Sequence, residues 1–299
     1  MNTLRHAACG FLIALAASLA ASLAAAPAAA ASYLWEVTSL TNRAYLFGTV
    51  HAGKASWYPL PKAVEDAFLD SKVVVVEADI TDANAINKSA AAMMYKPPAS
   101  LKTHIPAEQY ARFARYLARY GLPEEQVVQM KPFMAVSLLV FSEWARMGYL
   151  PNYGVDAYLI TKAKAEAKTI VEIEGVDAQI ALMDSLTEKE TQQLFKGTLD
   201  ALESGLTDAQ VNGMMAAWQS GEPDALLRVA RQYNDRIAGA AEFEEKFIWS
   251  RHDAMAAKIE GYLNQSKDRH FVAVGALHLA GPRGLIEMLR KRGYVVRQL

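Results

Sequence analysis

Four consecutive valines, Val73 to Val76, stand in the stretch "KVVVVEADI". Successive strand side chains point to opposite faces, so an unbroken β-branched run fits a strand that is covered on both sides. That requirement points to an α/β chain whose central sheet carries helices on both faces. The remaining segments supply the parts. "YLWEVT" and "AYLFGTV" read as strands joined through "SLTNR", a hairpin with Thr41 and Asn42 in the turn. "PLPKAVEDAFLDS" places Val64, Ala67 and Phe68 on one helical face, with Pro61 suited to its first turn. "TIVEIEG", "RHFVAVGALH" and "YVVRQL" are further strands, and "GVDAYLITKAKAEAK" and "PRGLIEMLRKRG" are helices. "PAEQYARFARYLARYG" turns Tyr110, Phe113 and Leu117 inward and Arg112, Arg115 and Arg119 to solvent. "PFMAVSLLVFSEWARMG" is apolar nearly all round and reads as a buried core helix. From Asp177 to about Leu263 the pattern is helical without a convincing strand. The expectation is a central mixed β-sheet flanked by helices, in a single domain over 32–299 with a helical subdomain at about 177–263.

Composition narrows the function classes. The 299 residues are 52% hydrophobic and 21% charged, with a net charge of −1. No basic stripe suggests a nucleic-acid partner. Residues 1–31 read as a signal peptide: a short polar start, an apolar run and a small-residue cleavage site after Ala31. The mature chain is then expected to be exported, to a periplasm-like compartment. Cys9 is the only cysteine and falls within that segment. A mature chain without cysteine has neither disulfides nor a thiol nucleophile. No later segment reaches the roughly 18 apolar residues of a membrane span.

The chemistry concentrates at strand ends. Gly48-Thr49-Val50-His51 closes one strand and Gly275-Ala276-Leu277-His278 closes another, more than 220 residues later. Glu77 ends the valine strand. Open α/β sheets build their sites at the carboxyl ends of strands. If these ends are neighbours, His51, Glu77 and His278 converge as a set able to bind a divalent metal with open positions. Taken singly, each histidine also suits a hydrogen-bonded structural position, and Glu77 suits a cap or an arginine pair. Arg251 in "WSRHDAM" is a candidate for holding a carboxylate or an oxyanion, or else a surface residue. His104, His252 and His270 are weaker candidates, and Glu172 and Glu174 form a further strand-end acid pair. His-Glu-x-x-His, Gly-x-Ser-x-Gly and glycine-rich phosphate loops are absent.

These residues, with "YLWEVTSLTNRAYLFGTVHAG", "YPLP", "IEGVDAQIALM", "WQSGEPDALL" and "FVAVGALHLAGPRGLIEMLRKRGYVV", resemble the TraB/GumN family, to which the Tiki proteins are related. The resemblance spans nearly the whole mature chain. It implies a fold shared with erythromycin-esterase-like and ChaN-like proteins, and a site of His51, Glu77 and His278 with Arg251 nearby. It further implies metal-dependent peptidase activity, with manganese or cobalt favoured and zinc as an alternative. One departure is His252, where the pattern leads one to expect Asn or Asp directly after the arginine.

The expected function is therefore an exported metal-dependent hydrolase acting on a peptide or protein. His51 and His278 would bind the metal, Glu77 would be third ligand or general base, and Arg251 would orient Glu77 or stabilise an oxyanion. Three rivals stand beside it. One is a metal-independent histidine–glutamate hydrolase of the erythromycin-esterase kind. Another is a haem- or metal-binding protein using Tyr45 and the histidines. The third is a scaffold that keeps the fold without catalysis. Oligomeric state is open.

Overall fold

The computed structural model describes residues 32–234 and 238–299; the expected signal peptide lies outside the described residues. Its frame is a six-stranded mixed sheet with the order β4-β3-β5-β2-β1-β6. The strands are β1 (Leu34–Thr38), β2 (Arg43–Thr49), β3 (Val73–Val76), β4 (Thr169–Glu172), β5 (His270–Gly275) and β6 (Val295–Gln298). β4, β3, β5 and β2 run parallel, whereas β1 is antiparallel to both β2 and β6. The first two strands form the expected hairpin, and Ser39 and Asn42 close it with side-chain bonds to its backbone.

All four valines of β3 are buried, which requires cover on both faces. Phe68 of the Lys62–Asp70 helix packs on Phe271 of β5, and Leu159, Ile160 and Ala163 of the Val155–Ala165 helix join the same core. A further layer comes from Met255, Ile259 and Leu263 of the His252–Gln265 helix with Leu285, Ile286 and Leu289 of the Leu285–Lys291 helix. Each fully buried Val or Leu contributes about 1.5–3 kcal/mol of transfer free energy, so this core is the main cohesive term.

A second apolar core lies among helices alone. It draws Phe113 and Leu117 from Ala107–Tyr120, Val136 and Leu139 from Pro132–Arg146, and Phe195 and Leu199 from Glu188–Glu203. The Pro132–Arg146 helix departs from its expected full burial, for only Pro132, Ala135, Val136, Leu139 and Glu143 are buried. The arginine row departs too. Arg112 is 13% exposed and held by Asp200 and Glu203, at 2.7 Å each, so it ties two helices together and is not a merely solvated face.

Gly48 explains one glycine of the repeated motif. It has no positive φ. Its place is fixed by crowding, since a Cβ there would lie 2.3 Å from Tyr33 Cδ1 and 3.0 Å from Ala276 Cα. Tyr33 is itself buried, so the ring cannot swing into water. Gly48→Ala is expected to lower unfolding stability by about 1–3 kcal/mol through overpacking. A shift of the urea midpoint with unchanged slope would register it.

Candidate active site

The sheet order decides which candidates meet. β5 lies between β3 and β2. Its carboxyl end carries His278, so the His278 strand is the middle of the three. Glu77 follows β3 directly. His51 stands beyond β2, and His278 ends the short 3-10 turn Ala276–His278 that continues β5.

One cavity of about 210 Å³ opens at these ends, lined by His51, Glu77, Asp156, Gln179 and Arg251 among polar residues. Ile80, Phe133, Leu182, Met183 and Phe247 form its apolar walls. His278 is not among the lining residues. It sits behind them, 5% exposed, against Arg251 and Glu77.

Arg251 organises the floor. Its side chain is 15% exposed and donates to Glu77 Oε2 at 2.6 Å, to Glu174 Oε1 at 2.7 Å, to the Phe247 carbonyl at 2.7 Å and to His278 Nε2 at 3.0 Å. A further bond to Glu174 Oε2 makes the grip on that carboxylate two-pronged. Glu174 reaches this place because its amide and that of Gly175 donate to the Glu77 carbonyl, which lays the turn after β4 against the end of β3. The other oxygen of Glu77 accepts from the Gly275 amide at 2.7 Å, and Gln179 reaches Glu77 Oε2 at 3.3 Å. Gly275 thus serves by close approach, for a Cβ there would crowd Glu77 Oε1 at 3.3 Å.

His51 has a partner that sequence reasoning did not supply. Its Nδ1 lies 2.8 Å from Asp156 Oδ2, while Thr49 holds the other carboxylate oxygen. Asp156 opens the Val155–Ala165 helix, which docks by a bond from the Val155 amide to the Val50 carbonyl. An acid in the first turn of a helix after Gly154 was the available signal. The attraction of Asp156 outweighs desolvation and pushes His51 up to about 9. The ring keeps 64% exposure, so water screens part of that pull.

Glu77 and His278 move the other way. Burial opposes ionisation of Glu77, but His278, Arg251, His51 and the Gly275 amide overcome it and hold the carboxyl down at about 2. Burial pushes His278 down to about 3, opposed by Glu77 and reinforced by Arg251. The permanently charged Arg251 is the cation that can keep Glu77 ionised while His278 stays neutral.

These shifts set opposite pH windows. A histidine kept neutral in the fold gains protons on unfolding below its ordinary pKa, so His278 favours stability above about 6.5 and loses it progressively as pH falls towards about 3. His252 and His270 are also lowered by burial and act in the same sense. The raised His51 contributes most below 6.5 and loses its contribution as pH rises through about 9. Stability is therefore expected to peak near pH 6.5 and to fall more steeply on the acid side. Urea midpoints from pH 4 to 10 check this.

The metal expectation meets a structural obstacle. Among the described residues, no group of three or more His, Cys, Asp or Glu side chains is placed to hold a metal ion. The physical reason is Arg251. Its guanidinium occupies the lone pairs of Glu77 Oε2 and His278 Nε2, and His51 is turned to Asp156. His51, Glu77 and His278 as arranged do not fit a bound divalent cation.

The remaining candidates lie elsewhere. Tyr45 donates to Asp70 at 2.7 Å and is not among the residues that line this cavity. His104 stacks on Tyr95, and His270 stacks on Tyr262. His252, a weaker candidate by sequence, is buried and lies 2.9 Å from His278. No helix among the described residues is long and apolar enough to cross a membrane.

Comparison with known proteins gives this arrangement its lineage. The model of the TraB/PrgY/gumN family matches residues 33–298. The chain belongs to the TraB/PrgY/gumN family. Among relatives, YbaP of Escherichia coli (strain K12) is 25% identical over 265 residues, covering 86% of this chain and 93% of YbaP. The protein named metalloprotease TIKI2 of Xenopus tropicalis is 24% identical over 310 residues, covering 89% of this chain and 59% of TIKI2. Metalloprotease TIKI1 of Homo sapiens is 21% identical over 311 residues, covering 89% of this chain and 61% of TIKI1. The chain thus spans about three fifths of the TIKI proteins. No solved structure matches.

Proposed function

We propose that the chain is an exported hydrolase that cleaves amide bonds in a peptide or protein substrate. The observation that carries this reading is one cavity lined by both His51, bonded to Asp156, and Glu77, bonded to Arg251, arrangements that raise the first pKa and lower the second. Titratable groups driven apart in this way divide the work of acid and base. Ionised Glu77 takes a proton from water as its oxygen adds to the carbonyl carbon. The positive charge of Arg251, beside it on the cavity wall, offsets the negative charge that develops on the carbonyl oxygen. His51, aimed by Asp156, gives its proton to the leaving nitrogen as the C–N bond breaks. The Glu77 proton then passes to solvent and His51 is reprotonated.

The cavity walls also support the proposed helical subdomain at about 177–263, which contributes Gln179, Leu182, Met183, Phe247 and Arg251. The metalloprotease name of the TIKI relatives keeps a metal-dependent form as the alternative reading; it would require Arg251 to release Glu77 and His278 to an ion, with manganese or cobalt ahead of zinc as the family resemblance implies. No step above runs through it. The metal-free arm corresponds to the chemistry implied by a shared fold with erythromycin-esterase-like proteins.

The test is cleavage of a peptide mixture by the purified mature chain, followed by mass spectrometry with and without chelator. Cleavage that survives chelation supports the protein-only acid–base route. Cleavage abolished by chelator and restored by manganese or cobalt supports the metal-dependent form. No cleavage in either condition, nor after metal addition, contradicts a hydrolase.

A further inference from the structure

Behind the cavity runs a file of hydrogen bonds in which every proton can be placed. His252 Nδ1 lies 2.8 Å from the Arg283 carbonyl oxygen. His252 Nε2 lies 2.9 Å from His278 Nδ1. His278 Nε2 lies 3.0 Å from Arg251 Nη1. The two ends of this file admit one role each. A carbonyl oxygen only accepts, and a guanidinium only donates.

The roles propagate inward from both ends. The Arg283 carbonyl requires a proton on His252 Nδ1. The Arg251 N–H requires a bare lone pair on His278 Nε2. Neutral His278 then carries its proton on Nδ1 and donates it to the bare Nε2 of His252. A proton on His252 Nε2 would face the one on His278 Nδ1. The only consistent assignment runs Arg251 to His278 to His252 to the Arg283 carbonyl, each donating to the next. The location makes such accounting strict, because His252 is 2% and His278 5% exposed, and an unmet buried polar group is costly.

We propose that His252 is a positioning residue: it fixes His278 as the Nδ1-protonated tautomer, whose bare Nε2 seats Arg251 beside Glu77 at the cavity. With the opposite tautomer, N–H would face N–H across 3.0 Å and the guanidinium would be pushed from its seat. His252 also packs edge-on against Trp249 and His278, so the ring has little freedom to turn. The assignment uses the residue in which this chain departs from the pattern expected after Arg251. Its bearing on turnover rests on the hydrolase reading, whereas the tautomer does not.

The experiment is ¹⁵N NMR of the histidine-labelled mature chain near pH 7, for wild type, His252→Phe and His252→Gln. Wild type is expected to show His278 protonated on Nδ1 and bare on Nε2. His252→Phe removes the acceptor and is expected to lose that single tautomer. His252→Gln, whose amide oxygen can accept, is expected to restore it. With a cleavable peptide in hand, kcat should fall about ten- to a hundredfold in His252→Phe, as for lost outer partners of site histidines, with KM little changed and recovery in His252→Gln. His278 protonated on Nε2 in wild type would overturn the proposal without reference to any variant, as would an unchanged tautomer in a folded His252→Phe. A wild type with the expected tautomer and no turnover supports the positioning claim and counts against the hydrolase.

Discussion

Glu77→Gln is expected to reduce peptide cleavage by about 10²–10⁴-fold, the usual range for a lost acid–base group. The substitution keeps the shape of the side chain and its acceptor for the Gly275 amide. It removes the charge that takes the water proton and that pairs with Arg251. Glu174 retains Arg251 through its two-pronged grip, so the cavity is expected to keep its form. KM should therefore change far less than kcat. A loss confined to KM would mean that Glu77 binds substrate and does not act on water.

The second large effect is on stability. Arg251→Met is expected to lower unfolding free energy by about 3–5 kcal/mol, because it leaves buried carboxylates without their cation. Glu77 and Glu174 are 16% and 14% exposed, and Arg251 is the arginine that bonds both. The methionine fills much of the space that the arginine stem occupied, so the cost is electrostatic and not a cavity. Adding Glu174→Gln to Arg251→Met should recover part of the loss by removing one orphaned charge. Urea unfolding of the single and double variants measures this. A single variant as stable as wild type would show that water already screens these carboxylates.

Part of this site was legible and part was not, for physical reasons. The valine run and the two strand-end motifs were readable because burial on both faces and strand termination leave local marks. The meeting of Glu77 and His278 follows the rule for strand ends, whereas Arg251 comes from a 3-10 turn outside the sheet. The neighbour order was out of reach: β5 reaches its place between β3 and β2 only after helical crossovers far longer than any local signal. Asp156 stood 105 residues from His51, in a helix start that reads like many others. His252 is among the weaker candidates by sequence, since its neighbours in the chain carry no mark of a site. Its function comes from the Arg283 carbonyl and from His278, neither of which a helical pattern reveals. The pairing of Arg251 with Glu77 is among the roles the sequence suggests, but its simultaneous bond to His278 Nε2 depends on a side-chain packing that spacing does not reveal.

The central claim is that His51 and Glu77 act together, as acid and base, on an amide bond in one cavity. The most direct measurement is cleavage of a single identified peptide by wild type, His51→Gln, Glu77→Gln and the double variant, at pH 7 and matched concentration. The account predicts that each single variant loses most of the turnover and that the double variant loses little more than the worse single one, because groups acting as a unit are not additive. Cleavage by His51→Gln and Glu77→Gln at the wild-type rate would contradict it and place the chemistry elsewhere.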